Sequence, residues 1–370
     1  MTGTRHPGPP RDVRLRLGTF GIRVGRRPLT VSLILMAVTV LVGGWGMTAG
    51  PSPITVTELV SVLLSGRDST TQNAEIVWTW RLPRTVTALA AGAALGVSGA
   101  IFQSVTRNPL GSPDIIGFNT GAYTGALIAT IVAPPTAASV LSIFGVPVNP
   151  GFYVVAFGAL VGGLTTAALV LGLSRVKGLT SGYRLIVVGI AVSAVLHSLN
   201  MWIIMKSHIK YAISMTVWGF GSLNGVSWPE AKVVVAGCVS GLIVLPVVRR
   251  TLTILEMNDS SARGLGVNPD AQRIFLVVVG VLLTAAVTSM VGPIIFVALA
   301  APQIARRLTA SPGPAPFSAA LTGAVVLGFS DCLAQVLPTE LPAGVITISI
   351  GGVYLLWLLT VGSVDARMRR

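Results

Sequence analysis

The sequence predicts an all-α integral membrane protein with ten transmembrane helices and both termini on the cytoplasmic side. Three observations predict it. Only 10% of the 370 residues are Asp, Glu, Lys or Arg and 52% are hydrophobic, whereas a soluble domain carries roughly 25% charge. So little charge cannot clothe a water-facing globule. The apolar runs are long and continuous, near the roughly 20 residues that a helix needs to cross a 30 Å hydrocarbon core. They lack the alternation of barrel strands, and lipid admits only helices and closed barrels. Finally, Lys and Arg are shared unequally between alternate connections.

The expected spans are 29–49, 85–105, 115–132, 152–173, 185–205, 229–248, 274–291, 293–308, 317–337 and 343–361. The seventh and eighth meet at Gly292–Pro293. With the N-terminus inside, 20 of the 26 Lys and Arg fall on the cytoplasmic side. The six outside are Arg67, Arg81, Arg84, Lys206, Lys210 and Lys232. Cytoplasmic loops retain basic residues, so the orientation is N-in, C-in. Residues 1–28, with seven arginines, suit a disordered basic tail, and 363–370 a basic cytoplasmic C-terminus. Ten spans divide into five plus five, which accommodates an inverted repeat.

Within the spans, Gly92/Gly96, Gly121/Gly125, Gly158/Gly162 and Gly237/Gly241 stand four apart. Each pair shares a helix face and admits a neighbouring backbone. Cys238 and Cys332 both lie in apolar runs and suit reduced packing residues, not a disulfide framework.

Several chemistries are missing from the sequence. There is no G-x-x-x-x-G-K-[ST] loop for ATP and no H-E-x-x-H. His6, His197 and His208 have no ligand spacing. His197, inside a span, suits a satisfied interior residue or a cavity lining. Asp331 is the one acid deep in a span; an intramembrane acid suggests function, but near the outer end of its helix a structural hydrogen bond serves equally. The net charge of +14 reflects the cytoplasmic bias and implies no nucleic-acid partner.

Three stretches remain. In WRLPRT, Arg81 and Arg84 break the positive-inside trend; they suit either snorkelling to the interface or a fork for carboxylates on a docking partner. Pro83 suits a first helical turn. The 255–273 stretch, LEMNDSSARGLGVNPDAQR, suits a short surface helix closed by glycine that could seat in a groove of another protein. RNPLGSPDIIGFNTGA, at 107–122, places polar residues, prolines and glycines between two oily runs. Pro109 forbids helix continuation, and irregular backbone at membrane depth needs a protein-lined setting.

From about residue 29 to 362 the chain resembles the FecCD family of permease subunits, the type II ABC importers for ferric siderophores, haem and cobalamin. RLPRTVTALAAGAALGVSGAIFQSVTRNPLGSPDIIGFNTGA carries the resemblance most strongly, joined by SARGLGV, GPIIFVALAAPQIARR and ELPAGVITISIGG. The resemblance implies the type II importer permease fold and a multi-pass place in the bacterial cytoplasmic membrane. It implies a second FecCD-type permease, a cytoplasmic ABC ATPase dimer holding ATP and Mg, and an extracytoplasmic siderophore-binding protein. The cargo would be a ferric siderophore, with the catecholate type as the finer expectation; cobalamin or haem is the alternative. The chain itself would be no enzyme and would hold no cofactor or metal.

The resemblance also distributes roles. Arg81, Arg84 and Glu340 would dock the binding protein. Glu256, Ser261, Ala262, Arg263, Gly264, Leu265 and Gly266, in the loop 253–273, would couple to the ATPase. Asn108, Pro109, Leu110, Thr180 and Ser181 would form the cytoplasmic gate. The third, fifth, eighth and tenth spans would line the route. The chain departs from the family pattern at Ser112, Gln303, Gln335 and Val353. Gln335 replaces a common external arginine, which implies a heterodimer rather than a homodimer. An ion-driven secondary transporter is the competitor from another class; a polytopic enzyme is disfavoured because no paired acids share a side.

Overall fold

The computed structural model describes residues 12–17, 20–52, 54–66, 72–132, 141–143, 146–148, 150–176, 179–180, 182–256, 259–264, 266–337 and 341–368. Fourteen helices and three two-stranded hairpins are found among them. Near the N-terminus β1 (Asp12–Leu17) pairs antiparallel with β2 (Phe20–Gly25), and α1 (Arg26–Thr48) follows directly. A hairpin thus occupies part of the segment expected to be disordered. The period-2 alternation of Val13, Leu15 and Leu17 with Arg14 and Arg16 is what makes a strand available.

Helix α2 (Val56–Ser65) opens with a capping box between Thr55 and Glu58. The Thr55 backbone N–H, then its hydroxyl, hold the Glu58 carboxyl below the usual carboxylate range. Helix α3 (Gln72–Glu75) runs through a π-helical turn, Ile76–Arg81, into α4 (Leu82–Thr106). Pro83 stands in the first turn of α4, as expected, but that turn continues from a π-helical one. It follows a turn in which the Leu82 N–H reaches back to the Val77 carbonyl, an adjustment that accommodates the missing donor and the ring.

The remaining helices are α5 (Phe118–Val132), α6 (Pro150–Ser174), α7 (Gly182–Lys206), α8 (Ile209–Trp218), α9 (Trp228–Glu256), α10 (Asp259–Gly264), α11 (Pro269–Val291), α12 (Val297–Thr309), α13 (Pro316–Val336) and α14 (Ala343–Met368). Hairpin β3 (Leu141–Ile143)–β4 (Val146–Val148) separates α5 from α6, and β5 (Arg175–Val176)–β6 (Leu179–Thr180) separates α6 from α7. Each expected span coincides with a helix. Seven helical segments among the described residues are long and apolar enough to cross a membrane. Helices α5 and α12, with 15 and 13 residues, are only about 20 Å long at 1.5 Å per residue. Helix α14 runs on to Met368, past the expected boundary at 362.

Helix α4 is the hub, packing against α1, α7, α9, α11, α12 and α13. Its small residues permit this. A Cβ on Gly92 would lie 2.2 Å from the Gly323 carbonyl oxygen, and one on Gly96 2.1 Å from that of Ala319. Gly121 and Gly125 of α5 face Gly158 and Gly162 of α6, backbone against backbone. Gly237 and Gly241 of α9 meet the Ala286 and Leu283 side chains of α11, so all four glycine pairs lie where helices pack closely. Cys238 and Cys332 are free and buried.

Candidate functional site

Three places carry the polar chemistry. The first is a cavity of about 610 Å³ lined by residues 49–52, Trp80, Arg81, Arg84, Gln335 and part of the 221–227 segment. The two arginines divide their work there. Arg81 is 6% exposed. Its Nη1 donates to the Met47 carbonyl at 2.8 Å and its Nη2 to that of Ser52, so it staples the turn after α1 to the start of α4. Arg84 grips Asp331: Nη2 donates to Oδ1 at 2.8 Å, and Nε to both carboxylate oxygens at 3.0 Å. Gln335 Nε2 completes the cluster, donating to Asp331 Oδ2 at 2.8 Å.

Both arginines of the expected docking set are engaged within the chain. Arg81 is committed to backbone carbonyls, and Arg84 already has a carboxylate. Asp331 takes the structural role, as an ion-paired residue that is 2% exposed. Glu340 lies outside the described residues.

The second begins where α4 stops. Arg107, with φ 51, adopts the left-handed conformation that ends the helix. The Asn108 side chain accepts from the Leu110 N–H at 2.9 Å, closing an Asx turn over Pro109. A Cβ at Gly111 would strike Thr106 Oγ1 at 2.2 Å, so only glycine lets the chain double back. Gln303 Nε2 of α12 donates to the Pro109 carbonyl at 2.6 Å. Gln103 of α4 donates to that of Leu299 at 2.8 Å. Arg107 Nη2 reaches the Leu255 carbonyl at 3.1 Å, tying the turn to the end of α9.

A cavity of about 210 Å³ brings Asn108 and Pro109 together with Glu256, Arg107 and Arg306. The expected gate and the first residue of the expected coupling set thus share one pocket. Leu110 lies beside them, 42% exposed. Thr180 sits elsewhere, on β6, paired with Arg175 of β5. Ser181 lies outside the described residues.

The third place is α10. Ala262 is buried. The Gly266 N–H bonds to the Arg263 carbonyl and the Val267 N–H to that of Ala262, at 2.9 and 3.1 Å. With Gly266 at φ 75, these bonds form the Schellman closure expected of a glycine-ended helix. Ser261 and Gly264 stand on the same short helix, and a Cβ at Gly264 would meet nothing within 4 Å. Leu265 lies outside the described residues. The loop is shorter than 253–273, because α9 continues to Glu256 and α11 starts at Pro269, capped by Asn268.

Sequence reasoning left Asp114 without a role, and the structure gives it one. The stretches 107–117 and 292–296, which precede the short helices α5 and α12, are not helical. Asp114 joins them: one carboxylate oxygen accepts from Asn119 Nδ2, the other from the Phe296 N–H at 3.4 Å. Thr288 of α11 donates to Asn119 Oδ1 at 3.1 Å. Phe296, at φ 70, is a non-glycine residue in a costly conformation. The signal was an acid amid an oily run; its partners lay too far along the chain to be read.

This helical bundle has counterparts among known proteins. The chain is 40% identical to the ferric enterobactin transport system permease protein FepG of Escherichia coli, with 91% of this chain and 98% of that one covered. It is 33% identical to the Fe(3+)-citrate import system permease protein YfmE of Bacillus subtilis, over 91% and 96%. A solved structure of a metal-chelate type ABC transporter in an inward-facing conformation matches with a TM-score of 0.75 at 23% identity, covering 90% of this chain and 99% of that one; this speaks for the fold. The pattern of the FecCD transport family matches residues 33–361. Span-forming helices, shared architecture and full-length similarity agree: the chain is a multi-pass membrane protein and belongs to the FecCD transport family.

Proposed function

We propose that this chain is the membrane permease subunit of an ABC importer that carries a ferric siderophore, of the catecholate type, into the cytoplasm. Ten crossings place both termini inside. A second FecCD-type permease completes the route as a heterodimer. An ABC ATPase dimer, holding ATP and Mg, supplies the force, and an extracytoplasmic siderophore-binding protein delivers cargo to the outer cavity.

The observation that carries this reading is the inner pocket. Helix α9 ends at Glu256, just before the coupling segment, and Arg107 bonds that end directly to the turn holding Asn108–Leu110. A push on α10 reaches the gate through two elements already in contact. Thr180 and Ser181 serve the gate from the α6–α7 connection. At the outer face Arg84 receives the binding protein's acid beside its own Asp331, Glu340 serves as a further docking residue, and Arg81 acts only as a staple. The cargo class follows from similarity to an enterobactin permease along nearly its whole length.

The test is uptake by vesicles containing the chain with its co-produced permease and ATPase, supplied with the binding protein. A ferric catecholate should accumulate only when ATP is enclosed, and unlabelled ferric citrate or cobalamin should compete poorly. Accumulation without ATP, abolished by an uncoupler, would replace this reading with an ion-driven carrier.

A further inference from the structure

Helix α7 contains a residue that lipid would not tolerate. Of the seven span candidates its apolar window is the least covered, at 17% buried. One face, with Leu185, Asn200 and Ile203, is buried, and the helix packs on α5 and α6. The uncovered side presents Ile190, Val195 and Trp202, which suit acyl chains. It also presents His197 and Ser198. The Ser198 hydroxyl is satisfied, donating to its own helix at the Ala194 carbonyl, 3.1 Å away. The His197 imidazole has no hydrogen bond, ion pair or ring contact among the described residues.

Depth decides what this means. At 1.5 Å per residue, His197 lies about 13 Å along the helix from Lys206 and about 22 Å from Gly182. Both ends of a roughly 30 Å hydrocarbon core are therefore distant, and an imidazole cannot snorkel so far. Polar side chains at this depth face a water-filled cavity or another protein. The helix carries no Asp or Glu, and its charged residues are Arg184 and Lys206. No carboxylate on this helix would repel an anion there.

We propose that His197 is a cargo-contacting residue. It lines the aqueous route and donates a hydrogen bond to the anionic oxygen donors of the iron chelate, which sets preference among chelates. This rests on the import reading above and adds the side chain that meets the cargo.

The test uses the assembled importer in vesicles. His197→Cys is treated with a charged, membrane-impermeant thiosulfonate. Leu169→Cys, on the uncovered side of α6, is the lipid-facing control, and the parent chain, with two buried cysteines, is the blank. Labelling at 197 should be at least tenfold faster than at 169 and slowed by a saturating ferric catecholate. In parallel, His197→Phe should raise the KM for uptake about tenfold with a maximal rate within twofold, and His197→Gln should restore much of the affinity. Labelling confined to an uncharged maleimide would place 197 against lipid, and no labelling at all would bury it under the second permease; either overturns the proposal. So would an unchanged KM in His197→Phe. Rapid labelling of His197→Cys, where the parent complex imports no ferric chelate, would overturn the import reading and the cargo contact with it, leaving only a wet helix face.

Discussion

At the scale of single residues, the outer arginines show how similar side chains three positions apart acquire different duties. Arg81 has no freedom to leave, because its guanidinium satisfies the Met47 and Ser52 carbonyls under the turn after α1. Arg81→Gln should lower the unfolding free energy in detergent by about 2–3 kcal/mol, the range for buried hydrogen bonds from a charged donor, and thermal unfolding reads it. Arg84→Gln leaves the buried Asp331 carboxylate without its cation and should lower the unfolding free energy by about 3 kcal/mol as well as reducing binding-protein affinity; thermal unfolding and surface plasmon resonance on the solubilised complex check the two effects. The π turn next to Pro83 and the 247-residue separation of Arg84 from Asp331 explain what WRLPRT alone could not reveal. The string gives two external cations, and the fold supplies the anion.

Elements were more legible where their chemistry is local. The Schellman closure of α10 could be read from SARGLGV because one left-handed glycine suffices to make it. Gly266→Ala should therefore cost about 1–2 kcal/mol, the usual penalty for a side chain in the left-handed region, and circular dichroism of the purified chain detects the loss. Gly264→Trp meets open space, so the fold should survive. Uptake should fall at least tenfold while ATP hydrolysis by the complex persists; normal uptake would remove α10 from the coupling path. The spans and glycine pairs were legible for the same reason. The shortness of α5 and α12 was not, because composition continues smoothly through Gly292–Phe296 and through the residues before Phe118. Only the tertiary bonds of Asp114, with Phe296 182 positions away, mark the break. Asp114→Ala leaves Asn119 and the N-terminus of α12 short of an acceptor. The complex should still assemble by size-exclusion chromatography, with uptake reduced more than tenfold.

At the scale of the whole molecule, the proposed orientation and energy source are tested together. Cysteines introduced near residue 5 and residue 369 should react with an impermeant maleimide only after cells are permeabilised, as an N-in, C-in chain requires. Reconstituted alone, the chain should move no iron complex, because its sequence holds no nucleotide loop to supply the force.

The closeness of α4 to its neighbours has a mechanical consequence. Where Gly92, Gly96 and Gly99 meet the carbonyls of Gly323, Ala319 and Ala298, main chain rests on main chain, with no layer of pliant side groups between. Such a seam cannot shear without steric collision. Helices α4, α12 and α13 must therefore travel as a single keel, and whatever opens this permease swings about that keel instead of bending it.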